Sequence, residues 1–184
     1  MPPTERPAKA TVRQPSLVLV NTGDGKGKST SAFGTAMRAV ARGWKVGIIQ
    51  FVKSGEWKVG EEEIGRRLGM DWWALGDGFT WDSPDMEESE AIAREGWRVA
   101  RERIESGEYD LMVLDEITYP INWGWIDLIE MIDVVNDRPE TVNLIFTGRD
   151  APKELIEVAD TVTEMRNVKH AFDRGVMARR GIDY

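Results

Sequence analysis

Nine residues, Thr22-Gly23-Asp24-Gly25-Lys26-Gly27-Lys28-Ser29-Thr30, constrain the fold more than any other stretch of the chain. Before them, Leu17 to Val20 is a short apolar run that reads as a buried strand. After them, Ser31 to Arg42 reads as a helix with Phe33, Met37 and Val40 (or Ala41) on one face. Strand, glycine-rich loop, Lys-Ser and helix form the layout of a phosphate-binding loop. Glycines let successive backbone N–H groups point into one concavity, and the helix N-terminus adds the positive end of its dipole. Lys28 supplies a mobile charge, and the Ser29 hydroxyl can hold a Mg²⁺ that bridges phosphates. A solvated turn between strand and helix is the plain alternative, and the complete context argues against it. The general pattern G-x-x-x-x-G-K-S/T would place its first glycine on Thr22, whereas the glycines here alternate at 23, 25 and 27. Phosphate binding follows from these residues; the usual placement of the terminal phosphate does not.

The chain has 184 residues, enough for one domain with a substantial core. Its 24 basic and 32 acidic residues leave a net charge of −8, which argues against a nucleic-acid-coating surface. The absence of cysteine excludes disulfides, thiolate metal sites and a cysteine nucleophile. No apolar run reaches the roughly 20 residues of a membrane helix, and Met1 to Pro7 lacks the apolar segment of a signal peptide. A cytoplasmic location is the expectation. The eight tryptophans exceed core needs and suggest a planar ligand.

Residues 1–15 hold four of the eight prolines and read as a flexible arm, leaving 16–184 as one domain. Strands are expected at Lys45–Val52, Asp71–Leu75, Leu111–Leu114, Asn143–Thr147 and Thr161–Met165. Helices are expected at Glu61–Leu68, from Ser83-Pro84 to about Glu105, at Trp125–Val135 and from Pro152 to about Ala159. Ala93, Trp97, Ala100 and Ile104 form the apolar stripe of the long helix. The tail from 166 shows no periodicity. Strands that are near-continuous apolar runs, alternating with helices, indicate a mostly parallel sheet covered by helices on both faces. Ligands of such sheets bind at the carboxyl ends of the strands.

Asp115-Glu116, at the end of an apolar strand, is the expected second half of a nucleotide site. Glu116, or Asp115, can take the Mg²⁺ held by Ser29, and Glu116 could instead polarise an attacking water. Arg149, after Thr147-Gly148, falls on the ligand face, with a surface ion pair as its plain alternative. Lys26 is a further phosphate contact. Phe79 and Trp81 sit on a loop as candidate exposed aromatics or as side chains folded onto the core. His170, the single histidine, reads as a structural hydrogen-bonding residue. The phosphate cradle has no obvious protein nucleophile, so chemistry other than hydrolysis needs one from a second substrate.

These residues resemble the P-loop ATP:cob(I)alamin adenosyltransferases, the CobA/CobO/BtuR family. The resemblance is carried by Thr22 to Thr30, Gly78-Phe-Thr-Trp81, Val113 to Glu116, Thr147-Gly-Arg149, Val168 to Gly175 and Gly181 to Tyr184. It implies a RecA-like P-loop NTPase fold and transfer of the 5′-deoxyadenosyl group of ATP to the Co(I) centre of a corrinoid, with loss of triphosphate. It further implies Mg²⁺ (or Mn²⁺), a reductase partner and a homodimer, with no nucleic-acid or membrane partner. Gly23 to Thr30 with Thr22 and Arg149 would bind ATP, and Lys28 would neutralise the leaving group. Ser29 and Glu116 would hold the metal. Phe79 and Trp81 would displace the cobalt's lower axial ligand. Asp24 stands where the family usually has Asn. A simple ATPase using Glu116 and a non-catalytic carrier are the rival readings.

Overall fold

The computed structural model describes residues 10–54, 60–76 and 86–183. Its six strands are β1 (Val18–Thr22), β2 (Val46–Ser54), β3 (Asp71–Gly76), β4 (Leu111–Asp115), β5 (Asn143–Thr147) and β6 (Thr161–Glu164). They form one sheet in the order β3-β2-β4-β5-β1-β6, and every neighbouring pair is parallel. Six helices connect them: α1 (Lys28–Val40), α2 (Gly60–Arg67), α3 (Met86–Glu105), α4 (Thr118–Asn122), α5 (Leu128–Asp137) and α6 (Lys153–Val158). No described helix is long and apolar enough to cross a membrane.

The period-two alternation of strand side chains decides which layer each residue joins. Ile48, Leu111, Val113 and Ile145 turn to one face and pack with Ala32, Phe33 and Ala36 of α1 and with Met70 and Trp72. Ile49, Met112, Leu114, Leu144 and Phe146 turn to the other, against Trp97, Ala100 and Ile104 of α3, Met131 of α5 and Leu155 of α6. Apolar runs without alternation in character were the mark of a sheet buried on both sides, and both sides are covered. The expected α3 stripe is buried throughout: Ala93, Trp97, Ala100 and Ile104.

Three expectations need correction. Helix α1 begins at Lys28 rather than Ser31, with Gly27 as its N-cap residue at φ 117°, so Lys28 and Ser29 lie in its first turn. Its buried face is Ala32, Phe33, Ala36 and Ala39, while Met37 is exposed. Alanines let the helix axis approach the sheet closely around Phe33, and Met37 falls on the outer side. The segment expected as one helix from Trp125 to Val135 starts later, at Leu128, and an unexpected helix, α4, precedes it. Gly124, at φ 75°, turns the chain between them. The Asp127 carboxylate then accepts the N–H groups of Ile129 (2.8 Å) and Glu130 (3.1 Å), setting the start of α5. The start expected for α3 at Ser83-Pro84 lies outside the described residues.

Asp127→Ala removes both cap bonds and is expected to cost about 1 kcal/mol of stability in urea unfolding.

Candidate active site

The ends of β1, β4, β5 and β6 converge on the loop of residues 23–27. The β1–β6 ladder pairs Thr22 with Glu164, so the next residue on each strand meets the other. Met165 N–H donates to Thr22 O (2.8 Å), and Gly25 N–H donates to Met165 O (2.5 Å). A Cβ on Gly23 would lie 2.6 Å from Met165 O, and one on Gly25 2.7 Å from the same atom. Gly27 needs its glycine for a different reason, the left-handed φ of the N-cap. The alternating spacing is therefore fixed by close backbone packing at Gly23 and Gly25 and by the left-handed φ of Gly23 (91°) and Gly27 (117°). The N–H of Gly25 is committed to Met165, so it is not among the loop N–H groups turned to the phosphate concavity.

Lys28 folds back over the loop, its Nζ donating to Gly23 O (2.6 Å) and Gly25 O (2.8 Å). An ammonium has three donors, so one remains for an incoming oxygen. Burial pulls the Lys28 pKa below its ordinary value and the Arg149 charge adds to this, while Asp24, Glu116 and Asp115 oppose it. Those three carboxylates and Arg149 thus lie within electrostatic range of the lysine. Lys26 takes another direction and pairs with Asp183 at 2.7 Å. Asp24 is exposed, with Oδ1 3.9 Å from Arg149 Nε. The Thr22 hydroxyl oxygen accepts the N–H of Ala151 (3.1 Å), bracing the loop after β5. Thr30 is exposed in the first turn of α1.

At the end of β4, Asp115 is fully buried and held from two sides. Gln50 Nε2 donates to Oδ2 (3.0 Å) and Thr147 Oγ1 donates to Oδ1 (2.7 Å). Gln50 is itself oriented by Trp72, whose Nε1–H donates to Oε1 (2.9 Å). Glu116 N–H donates to Thr147 Oγ1 (2.9 Å), with Glu116 at φ 64°. A left-handed non-glycine residue costs about 1–2 kcal/mol, and it turns the chain sharply from β4 toward α4. Gln50 and Thr147 belong to segments that carry the family resemblance, but nothing in the sequence pairs them with Asp115; Trp72, near the start of β3, gives no sequence signal for its bond to Gln50. Arg149 is placed by Thr118, whose hydroxyl donates to its carbonyl (2.6 Å). Thr118 also leaves no room for a side chain on Gly148, where a Cβ would lie 1.9 Å from its Oγ1.

Asp24, Gly25, Lys26, Lys28 and Arg149 line one cavity of about 300 Å³, together with Asn167, His170, Phe172 and Asp173 of the tail. A separate apolar cavity of about 420 Å³ lies between α1 and α2, away from the loop. Among the described residues no three His, Asp or Glu side chains form a metal cage. The Ser29 hydroxyl has no protein partner among them. Asp115 and Glu116 act electrostatically on Lys28, the residue before Ser29, and a hydroxyl with carboxylates, completed by phosphate and water oxygens, suits Mg²⁺, which keeps much of its hydration. Phe79 and Trp81 lie outside the described residues.

Residues 14–184 match the family described as ATP:corrinoid adenosyltransferase BtuR/CobO/CobP. The chain belongs to this adenosyltransferase family. It is 44% identical over 168 residues to a corrinoid adenosyltransferase of Escherichia coli, covering 91% of this chain and 85% of the relative. It is 42% identical over 168 residues to the corrinoid adenosyltransferase CobA of Salmonella typhimurium, with the same coverage. A corrinoid adenosyltransferase of Pseudomonas aeruginosa is 40% identical over 170 residues, covering 91% and 83%. The α/β architecture and the phosphate loop at the carboxyl edge of the sheet accord with membership of this adenosyltransferase family.

Gly25→Ala is expected to destabilise the protein by about 1–3 kcal/mol through overpacking against Met165 and to weaken ATP binding. Gly34→Ala, on the exposed side of α1 where a Cβ meets nothing within 4 Å, is expected to stabilise it by about 0.5–1 kcal/mol. Urea unfolding of both variants checks the contrast.

Proposed function

We propose that this chain transfers the 5′-deoxyadenosyl group of ATP to the cobalt of a reduced corrinoid, in making or salvaging adenosylcobalamin. The observation that carries this reading is that Lys28 and Arg149 line one cavity beside the glycine loop, with Lys26 at its wall paired to Asp183, in a member of the adenosyltransferase family. A triphosphate, already highly anionic in ATP and one charge more negative as it departs, is the leaving group that such a cluster suits. The Co(I) ion of the corrinoid substrate donates an electron pair to the 5′ carbon as the C5′–O bond breaks. The bonding pair departs with triphosphate, and cobalt is oxidised to Co(III). No protein nucleophile is required.

The chain's own residues bind and orient. Thr22 to Thr30 hold the triphosphate so that the 5′ carbon faces outward. Lys28 stabilises the charge that grows on the departing oxygen, a role that counts most where water is excluded. Ser29 and Glu116, with Asp115 behind them, would hold Mg²⁺, which would supply further charge neutralisation to the triphosphate. Asp115 is positioned for this by Gln50 and Thr147. Phe79 and Trp81 displace the lower axial ligand of the corrinoid, easing reduction of Co(II). The domain is 16–184 with 1–15 as an arm, working in the cytoplasm as a homodimer with an electron-donating reductase.

The test is incubation with ATP, Mg²⁺ and chemically reduced cobalamin. Triphosphate release in step with cobalt–carbon bond formation is expected, and phosphate release without corrinoid would overturn the reading in favour of an ATPase. Lys28→Ala is expected to lower kcat/KM by about 10²–10³-fold, the cost of losing one transition-state charge contact. Phe79→Ala and Trp81→Ala are expected to slow turnover from Co(II) while sparing ATP affinity, with partial recovery when Co(I) is supplied directly.

A further inference from the structure

Beyond β6 the chain runs back across the phosphate loop. Its near end is clipped there by the backbone bonds between Met165 and both Thr22 and Gly25. Its far end is held twice. Asp183 pairs with Lys26 at 2.7 Å and accepts the N–H of Arg179 (2.8 Å). Gly181 and Ile182 line the apolar cavity with Phe33, Met37, Ile64 and Trp72. Between these anchors, Asn167, His170, Phe172 and Asp173 share the lining of the loop cavity with Lys26, Lys28 and Arg149. A single 3₁₀ turn, Phe172–Arg174, shapes this stretch and ends at Gly175, at φ 73°.

Within residues 166–183, His170 is half-buried while the residues around it are exposed; the Asp183 side chain, paired with Lys26, is also partly covered. Its Nδ1 accepts the N–H of Phe172 at 3.1 Å. A neutral imidazole has one acceptor nitrogen and one donor, so this bond places the ring proton on Nε2. The histidine therefore brings an oriented N–H to a cavity whose other lining includes three cations.

We propose that His170 is a triphosphate-binding residue, its Nε2–H donating to a non-bridging oxygen, and that the tail is the wall of the phosphate site which presents it. This rests on the phosphate-binding half of the function proposed above and not on the alkyl transfer. The bond is charge-assisted, a class whose loss costs about tenfold in affinity.

Calorimetric titration of the full-length protein with inorganic tripolyphosphate, in Mg²⁺ and without corrinoid, tests the proposal. His170→Ala is expected to weaken binding about tenfold, with adenosine affinity and melting temperature unchanged. His170→Gln keeps an N–H donor and is expected to recover most of the loss. Affinity of His170→Ala within twofold of the parent would overturn the proposal, as would a glutamine variant as weak as the alanine one. A parent protein that binds no tripolyphosphate would overturn both this inference and the phosphate-loop reading. One that binds it, shows the His170 dependence, yet alkylates no corrinoid would sustain the proposal and defeat only the transfer reaction.

Discussion

The site depends on a backbone-to-backbone contact. Met165, one residue past β6, lies against Gly23 and Gly25, one and three residues past β1. Its carbonyl takes the Gly25 N–H, and neither glycine could carry a side chain beneath it. The register of two parallel strands produces this contact, because Thr22 is already opposite Glu164. Where strands stay parallel to their carboxyl ends, the loops that follow must share a small volume. Glycine is what allows two of them to touch. The same logic recurs one strand over, where Gly148 accommodates Thr118 and thereby settles the position of the Arg149 backbone.

That crowded edge also sets the electrostatics. Lys28 is drawn inward by two loop carbonyls and loses hydration, which with Arg149 nearby pulls its pKa down. Carboxylates at 24, 115 and 116 offset part of the cost. A polyphosphate entering this cavity meets cations already oriented, so little reorganisation remains at the moment of reaction. Asp115 shows the same preorganisation with the opposite sign. Trp72 can only donate, so it fixes the Gln50 amide with its carbonyl toward the indole and its NH₂ toward the carboxylate. The chain of bonds leaves Asp115 one orientation, deep beneath the site.

Much of the fold was legible in the sequence. The five strands expected after β1 fall within a residue or two of their observed bounds, because most are apolar runs closed by turn residues; β6, Thr161–Glu164, is the exposed exception. The stripe of α3 was equally clear, since a twenty-residue amphipathic helix repeats its signal several times. Short elements were not. Helix α4 contains Pro120 and spans barely one turn, too few residues for a periodicity to register. The buried face of α1 was read in part: Phe33 is buried and Val40 packs against the same cluster, but Met37 is exposed and the alanines, weak hydrophobic signals, become contact surface only by proximity to the sheet.

By itself the sequence determined that this chain carries a phosphate loop on a parallel α/β sheet, with an acidic strand end facing it. Those are local statements, written in residues a few positions apart by glycine, lysine and strand–helix periodicity. Tertiary structure alone decided why the glycines alternate, that Lys26 turns to Asp183 while Lys28 stays at the loop, and that Gln50 and Thr147 stand behind Asp115. It also brought His170 into the cavity that holds Lys28 and Arg149. Each of these joins positions far apart in the chain, and pairings at that separation are set by sheet order and register, which no linear pattern records.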